Sequence, residues 1–386
     1  MPIKILAAIR CAAFLAVTFV AAASSHGADK AAEAPKVAHR GATFYVSKLG
    51  DDSDGSSWDK AFHSVQRALK AIPDERGGHR VIVRPDTYQE ANLFPAHKGA
   101  AGAYNELIGD VDGKLGSDTT GWVIIDSGDP ARGFQSYDWH STIRAYKKGW
   151  SPEHEDESFS AVGWDRWSFR HLYATGSDAG WFFDLVDEVV PFSVVVEDCV
   201  GIGRAFGGGV ANCLSRADEP VRFRRCTLWS LDFWGDTSGA YVRFENKQMP
   251  EHHDIVFEDC ALVGPQCAFK SSNFGFHTYT HARLTRCKLA ALNFSQPHGT
   301  PTDGVIQSVQ NGELLSIDLE DCTLMGYKVF GVIVDKDSVG KLRYSCRGKV
   351  QAYVQFQQQV PEGMRALTAW PVEVFQGIAP PARSPK

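Results

Sequence analysis

The 386-residue chain lacks the spacings that hold metals. It has no Cys-x-x-Cys and no paired Cys/His spacing, which argues against a metal site. It also lacks a basic surplus: Lys and Arg together number 40, Asp and Glu 46, and the net charge is −6. Neutralising phosphates needs clustered Lys and Arg, so no nucleic-acid partner is expected. After the N-terminus no apolar run is long enough to span a bilayer. The run from Cys11 to Val20 is itself too short; it follows Lys4 and Arg10 and leads into Ala21-Ala22-Ala23. That is the make-up of a secretory signal peptide over residues 1–23, cleaved near Ala23, and it predicts a secreted or periplasmic protein. Arg10 directly before Cys11 argues against lipoprotein processing. Loss of Lys4 and Arg10 with the signal deepens the charge from −6 to −8.

What the chain does have is a recurring phrase. It reads SVVVEDCVGI (193–202), PVRFRRCTLW (220–229), DIVFEDCALV (254–263), HARLTRCKLA (281–290) and SIDLEDCTLM (316–325). An earlier copy, RWSFRHLYAT (166–175), has Leu172 in place of the cysteine. From Leu172 through Cys199, Cys226, Cys260 and Cys287 to Cys322 the steps are 27, 27, 34, 27 and 35. Recurrence at such periods marks a solenoid, whose units bury their apolar faces by stacking on their neighbours.

Five and three residues before the cysteine stand Val194/Val196, Val221/Phe223, Ile255/Phe257, Ala282/Leu284 and Ile317/Leu319. This is the period-two alternation of a half-buried strand. The cysteine has the wrong parity to continue that face, so the chain must bend just before it. Past the bend the cysteine points inward, joined two residues on by Leu228, Leu262, Leu289 and Leu324. The bend pairs are Arg170-His171, Glu197-Asp198, Arg224-Arg225, Glu258-Asp259, Thr285-Arg286 and Glu320-Asp321: basic and acidic corners in alternation. Stacked in register, each meets opposite charge above and below. Each contact is worth only about 0.2–1 kcal/mol, and the gain is in fixing register.

Stacked cysteines point the same way, a geometry unsuited to a disulfide. They read as a buried ladder of small apolar thiols, with Cys346 as a sixth, frayed copy. Cys213 and Cys267 fall off the ladder and could pair with each other.

Short strands, a bend inside the phrase and a coil of about 27 residues resemble a right-handed parallel β-helix of the pectin-lyase-like superfamily. The front end is similar too: FYVSKLGDDSDGSSWDKAFHSVQRALKAI (44–72), then VIVRPDTYQE (81–90) with its Pro-x-x-Tyr turn and following acid. The expected organisation is a signal peptide over 1–23, a flexible linker over 24–42, an all-β parallel β-helix over 43–376 and a disordered tail over 377–386. A capping helix is expected over about 59–72, with Phe62, Val65, Leu69 and Ile72 on one face and Ser57 or Asp59 as its cap. Asp51, Asp52 and Asp54 beside Gly55 read as a turn, with Ca2+ as the alternative; no other cofactor is expected. Residues 97–106 and 147–160 read as loops, and 120–128 and 141–146 as strands. Tyr104, Trp122, Tyr137, Trp139, Tyr146, Trp150, Trp164 and Trp167 serve either packing or sugar stacking.

After each cysteine phrase comes a more polar stretch, and stacking should bring these stretches into a column. Counted from the cysteines, the column holds Arg204, Asp232, Asp236, Lys270, Asn273, Asn293 and His298. Asp236, Lys270 and His298 are the candidate catalytic residues; Arg204, Asp232, Asn273, His277 and Asn293 the candidate substrate-binding residues. A glycosidase needs two carboxylates about the scissile bond. A lyase needs a base and a cation or amide facing the uronate. The Asn-Thr-Asp, Asp-Asp, Gly-His-Gly and Arg-Ile-Lys motifs of polygalacturonase-like enzymes are absent, as are the Asp-His and paired-Arg motifs of pectate-lyase-like ones. No catalytic residue therefore carries over from either group. The resemblance implies a monomeric, carbohydrate-active protein on an extracellular polysaccharide, a lyase or a hydrolase. The alternative is a non-catalytic glycan-binding or cell-surface β-helix.

Overall fold

A computed structural model describes residues 41–375 except 92, 129–140, 144–160, 177, 185–189, 232–237, 245–253, 274–279, 293–303, 311–314, 335–342, 355–359 and 370. Among the described residues the strands form three long parallel sheets, of ten, ten and seven strands, and one two-stranded pair. Seven successive coils, from Asn105 to Val334, each supply one strand to each long sheet. A representative coil runs Val194–Glu197, Val200–Gly203 and Phe206–Ala211; the next runs Val221–Arg224, Thr227–Ser230 and Ser238–Phe244. Each strand pairs in parallel with its counterpart one coil on. The fold is a parallel β-helix.

The repeated phrase builds the first two sheets and the corner between them. Its inward rows are continuous: Phe169, Val196, Phe223, Phe257, Leu284 and Leu319 lie in register and are wholly buried. The Phe223 and Phe257 rings stack at 5.1 Å, 8° apart. Past the corner, Leu228, Leu262, Leu289 and Leu324 form a second buried row. Below Leu228 the row passes through Gly201, where a side chain would strike the Gly207 carbonyl and the Trp181 ring, to Ala174 and Ile125. Burying each Leu or Phe contributes about 1.5–3 kcal/mol, which supplies the stacking force.

The corner is a single residue of left-handed backbone. His171, Asp198, Arg225, Asp259, Arg286 and Asp321 have φ between 50° and 56°. The bend expected from parity falls on this residue, and the alternating charges meet across coils. Arg225 engages Asp198 at 2.6 and 2.7 Å and also reaches Glu197; Arg286 engages Asp259 at 2.7 and 2.8 Å. Glu197 also takes Arg170 from below at 3.4 Å and Arg224 from above at 3.3 Å. The Asp198 hydrogen bond holds the Arg225 guanidinium above its usual pKa, and Asp259 does the same for Arg286.

Cys199, Cys226, Cys260, Cys287 and Cys322 are buried free thiols beneath this corner. From Cys226 onward each thiol donates to a main-chain carbonyl of the coil below: Val196, Phe223, Phe257 and Leu284, at 3.2–3.4 Å. Burial pushes the pKa values of Cys199, Cys226, Cys260 and Cys287 up. Cys346 is not the sixth rung. It pairs with Leu319, three residues before Cys322, and buried Val350 fills the space after a corner widened by one residue at Gly348. Cys213 and Cys267 do not pair either: the first donates to the Phe183 carbonyl at 3.5 Å, the second to Gln307 Oε1 at 3.4 Å.

The capping helix α1 is shorter than its apolar spacing predicts, Val65–Lys70, with Ser64 as its cap rather than Ser57 or Asp59. The chain before it is held extended, Phe62 bridging Val46. The expected face is nonetheless buried, and Val65, Ala68 and Leu69 join the core that contains Val46 and Val81. The acid after the Pro-x-x-Tyr turn, Glu90, accepts from the Val65 and Gln66 amides at 2.7 and 2.8 Å. Burial raises its pKa, and those two bonds offset part of the rise. Asp51 and Asp54 accept from Ser53 and Ser56 within the turn, and Asp52 pairs with Arg67. Asn105–Gly109, whose first two residues fall in the stretch read as loop, is a first-sheet strand. Of the stretch 141–146, Ser141–Ile143 is strand and the rest lies outside the described residues.

Candidate functional site

The polar stretches after the cysteine phrases run into the third sheet. Its inward residues, among them Val210, Ala240, Val242 and Phe269, belong to the main core. Alternation therefore turns Tyr241 and Lys270 to the outer face. They are in register with each other, and the same row continues from Phe182 and Gly209 below to Gln307 and Gly331 above.

Lys270 is wholly buried on that face, Tyr241 is 1 % exposed and Gln307 3 %. The Lys270 ammonium stands 5.9 Å from the Tyr241 ring centroid. Beneath it Phe206 stacks on Tyr241 at 4.4 Å, and Phe182 stacks on Phe206 at 5.5 Å. Gly209, below Tyr241 in the row, has no room for a side chain, which would run into the Tyr241 main-chain carbonyl at 1.9 Å. One coil above, the Cys267 thiol donates to Gln307 Oε1 at 3.4 Å. The Lys270 amine thus stands beside an aromatic ring face, with a carboxamide one coil above it in the same row.

Of the residues expected in one column, Lys270 alone has a described side chain in this row. Arg204 lies before the third-sheet strand, two coils or roughly 10 Å along the axis from Lys270. It is tied to Asp178 at 2.9 Å. Asn273 is on the Lys270 strand, three residues on, in register with Phe244 and Gln310. Asp232, Asp236, His277, Asn293 and His298 lie outside the described residues. Counting from the cysteine does not set Arg204 or Asn273 level with Lys270, and the count is unequal between coils because residues 231–237 and 292–305 separate the second and third sheets in some, whereas 204–205 and 265–266 suffice in others. Tyr241 and Gln307 were missed for that reason; aligning the third-sheet strands on their inward apolar residues would have found both.

The aromatics offered for sugar stacking divide. Trp164 and Trp167 are core, Tyr104 bonds to Ser193, and half-buried Trp122 lies edge-on to Tyr173. Tyr137, Trp139, Tyr146 and Trp150 lie outside the described residues.

A second concentration of titratable groups lies outward on the first sheet. His281 reaches Asp254 at 2.5 Å and Asp318 at 3.2 Å; Arg283 also bonds Asp254, and Ser345 donates to Asp318 at 2.6 Å. Burial pulls the Asp254 carboxyl up, but His281 and Arg283 outweigh it and hold its pKa below the ordinary range. Outward positions six and four residues before the cysteines contain this cluster, so the alternation already in view could have revealed it. Saturated by its own ion pairs, it reads as a register clamp. Among the described residues no group of three His, Cys, Asp or Glu is placed to hold a metal, and no helix is long and apolar enough to cross a membrane.

No family model and no curated protein matches the chain. Among solved structures it is similar to pectate lyase Pel9A, with a TM-score of 0.50 and 14 % identity over 84 % of this chain and 73 % of that one. XylC in complex with xylose also aligns, at a TM-score of 0.33 and 8 % identity, over 78 % of this chain and 70 % of that one. The parallel stacking of coils in three sheets and the likeness to pectate lyase Pel9A agree: the chain has the fold of a right-handed parallel β-helix.

Proposed function

We propose that this is an exported polysaccharide lyase that cleaves a uronate-containing polymer on the outer face of the third sheet. The observation that carries the reading is Lys270, carried to the outer face of the third sheet in register with Tyr241 and Gln307. A pectate lyase of similar fold supports the substrate class. In β-elimination a base takes the proton from the carbon beside the uronate carboxylate. That bond's electrons form a carbon–carbon double bond, the neighbouring glycosidic C–O bond breaks, and the leaving oxygen takes up a proton. Lys270, as the neutral amine, is assigned the first step and becomes the ammonium. The Gln307 amide is assigned to the carboxylate, whose charge grows as the proton leaves. Asp236 and His298 remain candidates for returning the proton, and Arg204, Asp232, Asn273, His277 and Asn293 for binding the chain. Hydrolysis is less favoured because it needs two facing carboxylates, and the described part of this row supplies a lysine.

The test is a panel of acidic and neutral polysaccharides scored for two products. A lyase generates new reducing ends together with the ultraviolet absorbance of unsaturated uronates. Reducing ends without that absorbance would make the protein a hydrolase, and binding without either product would make it a glycan-binding β-helix. Export predicts a mature N-terminus near residue 24 in the secreted protein, as N-terminal sequencing would show.

A further inference from the structure

We propose that Tyr241 is the positioning residue for Lys270: its ring face, backed by Phe206 and Phe182, holds the amine at one place on the outer face of the third sheet. The inference rests on the reading of Lys270 as the lyase base. A lysine side chain has four rotatable bonds and wanders unless something fixes its end. Here the register places Tyr241 directly beneath Lys270, with the ammonium 5.9 Å from the ring centroid. Tyr241 is itself immobilised. Its ring packs against Phe206 at 4.4 Å and 17°, and Phe206 against Phe182 at 5.5 Å and 19°. All three rings are less than 8 % exposed, so their faces are spent on one another and on the lysine rather than offered to a sugar. The ring face packs against the end of the lysine whether the amine is protonated or neutral, so the tyrosine hydroxyl is dispensable and the aromatic ring is not.

The experiment compares Tyr241→Phe with Tyr241→Leu by kinetics and by NMR of selectively labelled lysine, with the Lys270 signal identified by its loss in Lys270→Arg. The ring should carry the Lys270 side-chain protons upfield in the wild type and in Tyr241→Phe, and the shift should vanish in Tyr241→Leu. On a cleaved uronate polymer, Tyr241→Phe should keep kcat within about threefold. Tyr241→Leu should lose about tenfold or more in kcat with KM unchanged, the result of a displaced base rather than a lost binding contact. Phe206→Leu, which leaves Tyr241 in place but unbacked, should fall between them and guards against Tyr241→Leu failing to fold. Equal kcat in Tyr241→Phe and Tyr241→Leu, or a Lys270 signal indifferent to both, overturns the assignment. If the wild type cleaves nothing, the lyase reading fails, and the NMR comparison still decides whether Tyr241 holds the amine.

Discussion

Reversing one rung of the corner ladder gives a sharp test of coil stacking. Arg225 bonds Asp198 through two contacts, at 2.6 and 2.7 Å, and reaches Glu197 as well. Its side chain is 40 % exposed and that of Asp198 31 %, so each pair belongs near the top of the range for exposed bridges, about 1 kcal/mol, and not above it. Arg225→Asp removes both pairs and places a third acid between Asp198 and Asp259, adding repulsion of similar size. The expected loss is about 2–3 kcal/mol. Backbone strain does not confuse the result, because Asp tolerates the left-handed conformation found here, φ 50°, at least as well as Arg. Urea unfolding measures the loss. Repeating it near 1 M salt, where the Debye length falls from about 10 to 3 Å, should remove much of it. The compensating Asp198→Arg in the same chain should restore part of it. A loss that is unchanged by salt and unrelieved by the second substitution would refute the electrostatic account of the corner.

Three further outcomes follow from the same coordinates. Asp254 is held below the ordinary carboxylate range, so its contribution is present above about pH 4, the unfolded-chain value, and is lost as pH falls through its lower folded value. Asp254→Asn should therefore lower the unfolding midpoint at pH 7, and the difference should fade on acidification; an effect independent of pH would argue against the His281–Arg283 clamp. Cys199, Cys226, Cys260, Cys287 and Cys322 are buried, and Cys346 is partly exposed. A thiol reagent followed by mass spectrometry should mark Cys346 before any of those five, and labelling of the five in the native protein would contradict the ladder. Phe257→Ala empties a wholly buried position between Phe223 and the next coil and should cost about 3–5 kcal/mol; a loss under 1 kcal/mol in urea unfolding would show that the inward row does not stack as described.

The sequence made the first two sheets legible because the path between them is constant. A strand, one left-handed residue and a second strand repeat without insertion from Trp167 to Met325, so parity alone names the inward residues and the corner. The third sheet was less legible because the connection leading into it varies in length. Counting from the cysteine reaches Lys270 but not its neighbours in the row, Tyr241 and Gln307, because the insertions before their strands shift the count. The apolar spacing overstates the capping helix because Phe62 shares that spacing while its backbone bridges a strand. Cys346 matched the ladder by residue type, yet the widened corner at Gly348 shifts it away.

The central claim is that Lys270, carried outward by the third sheet, performs the proton abstraction of a lyase. The most direct measurement is the initial rate of unsaturated-uronate release by the wild type and by Lys270→Ala, with unfolding midpoints recorded alongside. The account predicts measurable release by the wild type and a loss of about 10²–10⁴-fold in Lys270→Ala at retained fold. Release that continues undiminished without the Lys270 amine would contradict it.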